Sequence, residues 1–172
     1  MPSTSAGPPA PTPPGADASP GTLVRWTFDV LNTHHAAPLR AVWTDDTRER
    51  MPNATYRGGA EIQAYFEGLF AALPDLTLTM QAMAEQGEDV FVRWTMTGTH
   101  TGAALEGIEP TGKRLDIDGV DHFTVRDGKI LSNFVIYDQM QFARQLGLLP
   151  ADGSRLDVGL RRGYNLLARL RG

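Results

Sequence analysis

The change of period at Pro74-Asp75 constrains the fold of this chain more than any other feature. Ahead of it, after Gly58-Gly59, Ile62, Tyr65, Phe66, Leu69, Phe70 and Leu73 recur at helical spacing, and the proline stops the run. Beyond it, apolar and polar residues alternate almost to Tyr137, the signature of half-buried strands. Leu76, Leu78, Met80, Ala82 and Ala84 make one face of the first strand, opposite Thr77, Thr79 and Gln81. Gly87-Glu88-Asp89 turns the chain. Val90, Val92, Trp94, Met96, Gly98 and His100 then share a face. A loop over 101–114 leads to the stretch from Leu115 to Val125, Asp127-Gly128 turns again, and Ile130 to Tyr137 runs back.

Upstream, Leu23, Trp26, Val30 and Leu31 predict a helix closed by Asn32-Thr33. A second short helix is expected over Pro38–Trp43, and a charge-rich strand over Thr44–Met51. Helices followed by an antiparallel meander define an α+β domain. His34-His35 between the first two helices invites a metal reading, but adjacent histidines point apart and no third ligand lies at a regular spacing.

Two tails flank this domain, expected over residues 22–150. Residues 1–21 hold Pro2, Pro8, Pro9, Pro11, Pro13, Pro14 and Pro20, a composition with too little to bury, and read as a disordered arm. Residues 151–172 carry Leu156, Leu160, Tyr164, Leu167 and Leu170 as a helical stripe among Arg155, Arg161, Arg162, Arg169 and Arg171. Such a basic amphipathic helix packs on its own domain or a second subunit, or lies on a membrane surface. Asp138 with Gln141 has capping-box spacing, which makes Asp138 a helix cap rather than a catalyst.

Composition narrows the partners. A net charge of −4 disfavours nucleic acid, and the lack of cysteine removes disulfides and thiolate metal sites. No stretch is long enough to span a membrane, and without a secretory leader the cytoplasm is the expected compartment.

One residue breaks the pattern of the strand over Leu115–Val125. Its odd face, Leu115, Ile117, Gly119, Asp121, Phe123 and Val125, is apolar except for Asp121. A carboxylate in such surroundings must find partners or take up a proton, and a carboxyl in a dry cavity is the material of acid/base chemistry. The preceding strand's face also ends in a titratable group, His100.

At Gly98-Thr99-His100-Thr101-Gly102 and Gly107-Ile108-Glu109-Pro110-Thr111-Gly112-Lys113 the chain resembles the SnoaL-like polyketide cyclase (ester cyclase) family of the nuclear transport factor 2-like superfamily. The resemblance continues through Phe123, Asp127-Gly128-Lys129-Ile130, Asp138 and Gln145-Leu146-Gly147, over roughly Leu23 to Pro150. It implies an NTF2-like cone, a curved antiparallel sheet wrapped around N-terminal helices with an apolar pocket in its mouth. It also implies a homodimer through the sheet and ring closure by aldol chemistry without metal or cofactor. In that family an aspartate on the last strand acts as acid/base and a histidine on the strand before assists. Counted from Asp127-Gly128-Lys129, those positions fall here on Val135 and Asp121. Valine moves no proton, so the family's own mechanism requires that Asp121 has taken over.

The neighbours of Asp121 depend on the turn. A two-residue loop at Asp127-Gly128 pairs it with Phe134; a three-residue loop with a glycine bulge pairs it with Asn133, beside Leu131, Val135 and Tyr137. The resemblance favours the second. The expected site is a cavity lined by Trp94, Met96, Phe123 and Val135, with Asp121, His100, Asn133 and Tyr137 as its polar groups. Asp121 is the expected acid or base, His100 a second proton carrier, and Tyr137 or Asn133 an oxyanion donor. The expected substrate is a hydrophobic, oxygenated small molecule undergoing cyclisation, isomerisation or hydration. The competing reading is a ligand-binding or dimeric scaffold protein in which Val135 marks a lost active site.

Overall fold

The sheet that the alternating half predicts is mixed and has six strands among the described residues. The computed structural model describes residues 11–15 and 17–171. Its strands are β1 (Trp43–Arg50), β2 (Thr55–Arg57), β3 (Thr77–Gln86), β4 (Asp89–Thr99), β5 (Arg114–Arg126) and β6 (Lys129–Tyr137), in the order β2-β1-β6-β5-β4-β3. Four α-helices accompany them: α1 (Pro20–Leu31), α2 (Gly58–Ala72), α3 (Gln139–Leu146) and α4 (Arg155–Arg171). A 3-10 turn over Ala37–Ala41 takes the place of the expected second helix.

The expectation of a purely antiparallel sheet is corrected at one seam: β1 runs parallel to β6. A parallel neighbour needs a long crossover. Here α2 and the β3–β5 meander supply it, so β1 closes onto a strand that lies more than 80 residues downstream by sequence number. β2, missed at the sequence level because it is only three residues long, pairs with β1 at the edge.

Register shifts between Trp43 and Arg48, between Met80 and Ala82, and between Thr124 and Val125 bend the sheet around α1 and α2. The Met80/Ala82 shift also corrects the reading of β3. Strict alternation put Ala82 and Ala84 beside Leu78 and Met80, but past the bulge it is Met83 that packs on the core. Short polar links set the helices. Ser19 accepts from Thr22 N–H to cap α1, with Pro20 in its first turn. At the other end Asn32 donates to Leu78 C=O at 2.8 Å and accepts from Leu78 N–H at 2.8 Å, tying α1 to β3. Asp138 accepts from Met140 and Gln141 N–H and caps α3, which Gly147 ends at φ 85°.

The two tails differ in how they meet the domain. Trp26 Nε1–H donates to Pro11 C=O, so residue 11 of the Pro-rich arm lies against α1; residues 1–10 fall outside the described part. In α4 the expected apolar stripe faces solvent: Leu160, Tyr164 and Leu170 are all more than half exposed. It does not cover its own domain. The His34-His35 metal reading also fails on geometry. The His34 ring stacks on Phe70 and its Nε2 bonds Leu76 C=O at 2.7 Å. Among the described residues no group of His, Asp and Glu is arranged to hold a metal ion.

Candidate active site

The concave face of the sheet, with α1, α2 and α3 against it, lines a cavity that offers about 70 Å³ to the centre of a water-sized sphere. Trp94, Met96, Phe123, Val135 and Tyr137 line it, as do the polar residues Asp121 and Asn133. Seven of the eight expected site residues therefore share one cavity.

Their register differs from both expectations. Arg126 pairs with Lys129, so Asp127-Gly128 is a two-residue turn, with φ 50° and 68° as such a turn demands. A bulge at the Thr124/Val125 step then adds one residue to β6, and Asp121 comes opposite Val135 rather than Phe134 or Asn133. The turn sets the loop; the bulge sets the face.

From this register the polar cluster follows. Asn133 is the direct partner of Phe123, so its side chain meets Asp121 diagonally, Nδ2 donating to Asp121 Oδ2 at 3.3 Å. On the other side Trp94 pairs with Gly119 and also reaches Asp121 diagonally, Nε1–H donating to Oδ1 at 2.8 Å. A Cβ at position 119 would fall inside the Trp94 indole, so the glycine makes room for that donor. Trp94, expected only as cavity wall, is thus a direct partner of the carboxylate.

The sequence reading missed Glu49. It lies opposite Asn133 in the β1–β6 pair, is 2% exposed, lines the cavity, and accepts from Asn133 Nδ2 at 2.8 Å. Thr47, Glu49 and Met51 are all buried, so a period of two was available to find it. The surrounding Asp45, Asp46, Arg48 and Arg50 made the segment look solvated throughout.

Two buried carboxyl groups thus share one amide nitrogen. Burial is the main force on each, raising Asp121 to about 7 against the opposing hydrogen bonds from Trp94 and Asn133. Glu49 rises to about 8 through burial and then the charge of Asp121, with the Asn133 bond opposing. Asn133 Oδ1 is buried without a partner. Burial also raises Tyr65, well above its ordinary value, and Tyr137, to about 12, so both phenols keep their protons at neutral pH.

His100 is not part of this cluster. It follows the last residue of β4, whose partner Arg114 precedes Asp121 by seven residues, about 20 Å along the strand. Its ring is buried, with Nε2–H donating to Ala103 C=O at 3.1 Å and Nδ1 accepting from Thr111 N–H at 3.4 Å. Both nitrogens are used in holding the 101–113 loop. That loop brings Leu105 and Glu106 to the cavity.

A bent, unclosed sheet wrapped on helices, with an apolar cavity holding a few convergent polar groups, is the architecture of the NTF2-like fold. A model of the family described as SnoaL-like polyketide cyclase matches residues 21–146, and the chain belongs to that family. Its structure is similar to that of TsrD from Streptomyces laurentii, at 24% identity and TM-score 0.68 over 77% of this chain and 98% of that one. It is also similar to a putative SnoaL-like polyketide cyclase from Jannaschia sp. CCS1, at 22% identity and TM-score 0.63 over 79% and 100%. A third is IdmH, a putative polyketide cyclase from Streptomyces antibioticus, at 24% identity and TM-score 0.64 over 76% and 99%. At these identities the likeness concerns the fold. No curated protein matches the chain.

Proposed function

We propose that the protein is a cofactor-independent acid/base enzyme acting on a hydrophobic, oxygenated small molecule, with Asp121 as the proton carrier. The reaction class is cyclisation, isomerisation or hydration of a polyketide-like carbonyl compound. The observation that carries this reading is the Asp121 carboxyl, buried in an apolar cavity, held by two donors and raised to about 7. A group poised near neutrality both accepts and returns a proton with little penalty. Met96, Phe123 and Val135 supply the apolar wall, and Tyr137 a neutral hydroxyl for a developing oxyanion.

The test is a panel of uncharged polyketone and bicyclic ketone probes incubated with wild type and with Asp121→Asn, products read by NMR. Product from wild type and at least a hundredfold less from the variant supports the reading. Equal turnover removes Asp121 from the chemistry. Binding of probes with no product from either protein favours the scaffold reading, whose supporting observation is Val135 at the family's acid position.

The same reading includes a homodimer. The outer face of β4–β6 exposes Phe91, Val120, Phe134 and Ile136, with His122 between Phe91 and Phe134, a largely apolar surface that a second copy of the sheet would cover. Light scattering on wild type and on Ile136→Glu tests it: a wild-type dimer that the variant dissociates supports pairing through this face, and a wild-type monomer overturns it.

A further inference from the structure

Asp121 is one of two carboxyl groups in the cavity, and the second is placed as though for the same reaction. Glu49 and Asp121 reach Asn133 Nδ2 from neighbouring directions, at 2.8 Å and 3.3 Å. The amide nitrogen has two protons and spends one on Glu49 Oε1 and one on Asp121 Oδ2. Asp121 Oδ1 takes the Trp94 N–H, so both of its oxygens accept. Glu49 Oε2 has no partner within the protein among the described residues and is the one carboxyl oxygen of the four left to carry a proton. Like charges this close in a dry site do not both ionise readily, and one proton between the two is the arrangement of lowest cost.

We propose that Glu49 is the second catalytic group: with Asp121 ionised and Glu49 protonated, the pair enolises an uncharged ketone or aldehyde bound between them. This rests on the acid/base reading of Asp121 given above. Asp121 takes the proton from the carbon next to the substrate carbonyl. The electron pair of that C–H bond becomes the new C=C bond, and the C=O pair moves onto oxygen. Glu49 Oε2 gives its proton to that oxygen. The products are a neutral enol, a protonated Asp121 and an ionised Glu49, so the pair carries one negative charge before and after. Return of the Asp121 proton to carbon, with Glu49 taking back the enol proton, resets both groups.

The charges around the pair define the substrate class. The lining includes Glu49 on β1, Asp121 on β5, Glu106 on the 101–113 loop, Tyr65 on α2 and Tyr137 on β6, and among the described residues no lysine, arginine or histidine lines it. A carboxylate, phosphate or other permanent anion would enter next to an existing negative charge with no cation to offset it. An uncharged carbonyl compound meets no such penalty.

The probe is 2-acetylnaphthalene, an uncharged enolisable ketone, and the readout is exchange of its methyl protons for deuterium in D2O by 1H NMR. Wild type should catalyse exchange with a bell-shaped pH profile, since the step needs one carboxyl charged and the other protonated. Glu49→Gln keeps the shape of the side chain but has no proton to give. It should lose at least tenfold in rate, together with the alkaline limb of the bell. Exchange by Glu49→Gln within twofold of wild type, with the bell intact, overturns the role of Glu49; if Asp121→Asn is then inactive, the acid/base reading still stands. Exchange by wild type no faster than by Asp121→Asn overturns both. A second measurement needs no variant: 13C NMR of the unmutated protein with labelled carboxyl groups. Glu49 still protonated at a pH where Asp121 has ionised supports the pair, and ionisation of both below about pH 5, where ordinary carboxyls titrate, overturns it. The substrate class is tested by 2-naphthoate, the anionic counterpart of the ketone. Binding at least tenfold weaker than that of 2-acetylnaphthalene supports the exclusion of anions, and equal binding overturns it.

Discussion

Asp121 and Val135 stand directly opposite each other on β5 and β6, both lining the cavity. The family resemblance put its acid at the Val135 position. A carboxyl on the facing strand enters the same space from about 5 Å away, the spacing between paired strands. Replacing the acid by valine thus leaves the cavity with a carboxyl at the adjacent position. The wall it vacates becomes part of the apolar surroundings that raise Asp121.

Stability should fall as the pH rises. The folded state holds the protons of Asp121 and Glu49 up to about 7 and 8, where the unfolded chain releases them near 3.8 and 4.5. Unfolding therefore releases protons throughout that window, and each step up in pH favours the unfolded chain. A loss of several kcal/mol between about pH 5 and pH 8.5, on the order of 7 kcal/mol if both shifts are fully expressed, is expected by urea titration. Asp121→Asn and Glu49→Gln should each flatten the slope and raise the melting temperature at the alkaline end.

Trp94→Phe removes the indole N–H that holds the ionised form of Asp121. The Asp121 titration should move up by about one pH unit, the equivalent of one hydrogen bond to a charged group. The acid limb of the deuterium-exchange profile should move with it. An unmoved limb would mean that this bond does not tune the carboxyl.

Gly119→Ala places a methyl group where the Trp94 ring lies. Overpacking of about 1–3 kcal/mol is expected in chemical denaturation, with a shifted tryptophan emission. Combined with Trp94→Phe the cost should fall short of the sum, because the smaller ring leaves space.

His100→Ala should loosen the 101–113 loop rather than stop proton transfer, since both ring nitrogens are occupied by that loop. A loss of about 1–3 kcal/mol in stability and a rise in KM are expected. The pH profile should keep its shape, and a lost limb would restore His100 as a proton carrier.

Truncation after Pro150 should leave the melting of the remaining domain almost unchanged, within about 0.5 kcal/mol, because α4 presents its leucines to solvent. Differential scanning calorimetry of the two lengths checks it.

Local pattern made much of this protein legible. The switch at Pro74, the period of two in β4 and β5, and the cap at Asp138 are properties of neighbouring residues, and each recurs in the structure. The anomaly of Asp121 was visible for the same reason, because one polar residue in an apolar row needs no tertiary information to stand out. Its setting was decided elsewhere. A single-residue bulge on β6 chose which face of the last strand meets Asp121, and turn residues alone do not encode it. The parallel pairing of β1 with β6 brought in Glu49 from more than 80 positions away by number, out of a segment whose charges hid it. Trp94 became a hydrogen-bond donor only because Gly119 leaves room across the strand pair. The sequence by itself determined that a carboxyl would be buried on this sheet. Only the folded chain decided that it would have a second carboxyl for company, because that pairing depends on register between strands and not on the order of residues within one.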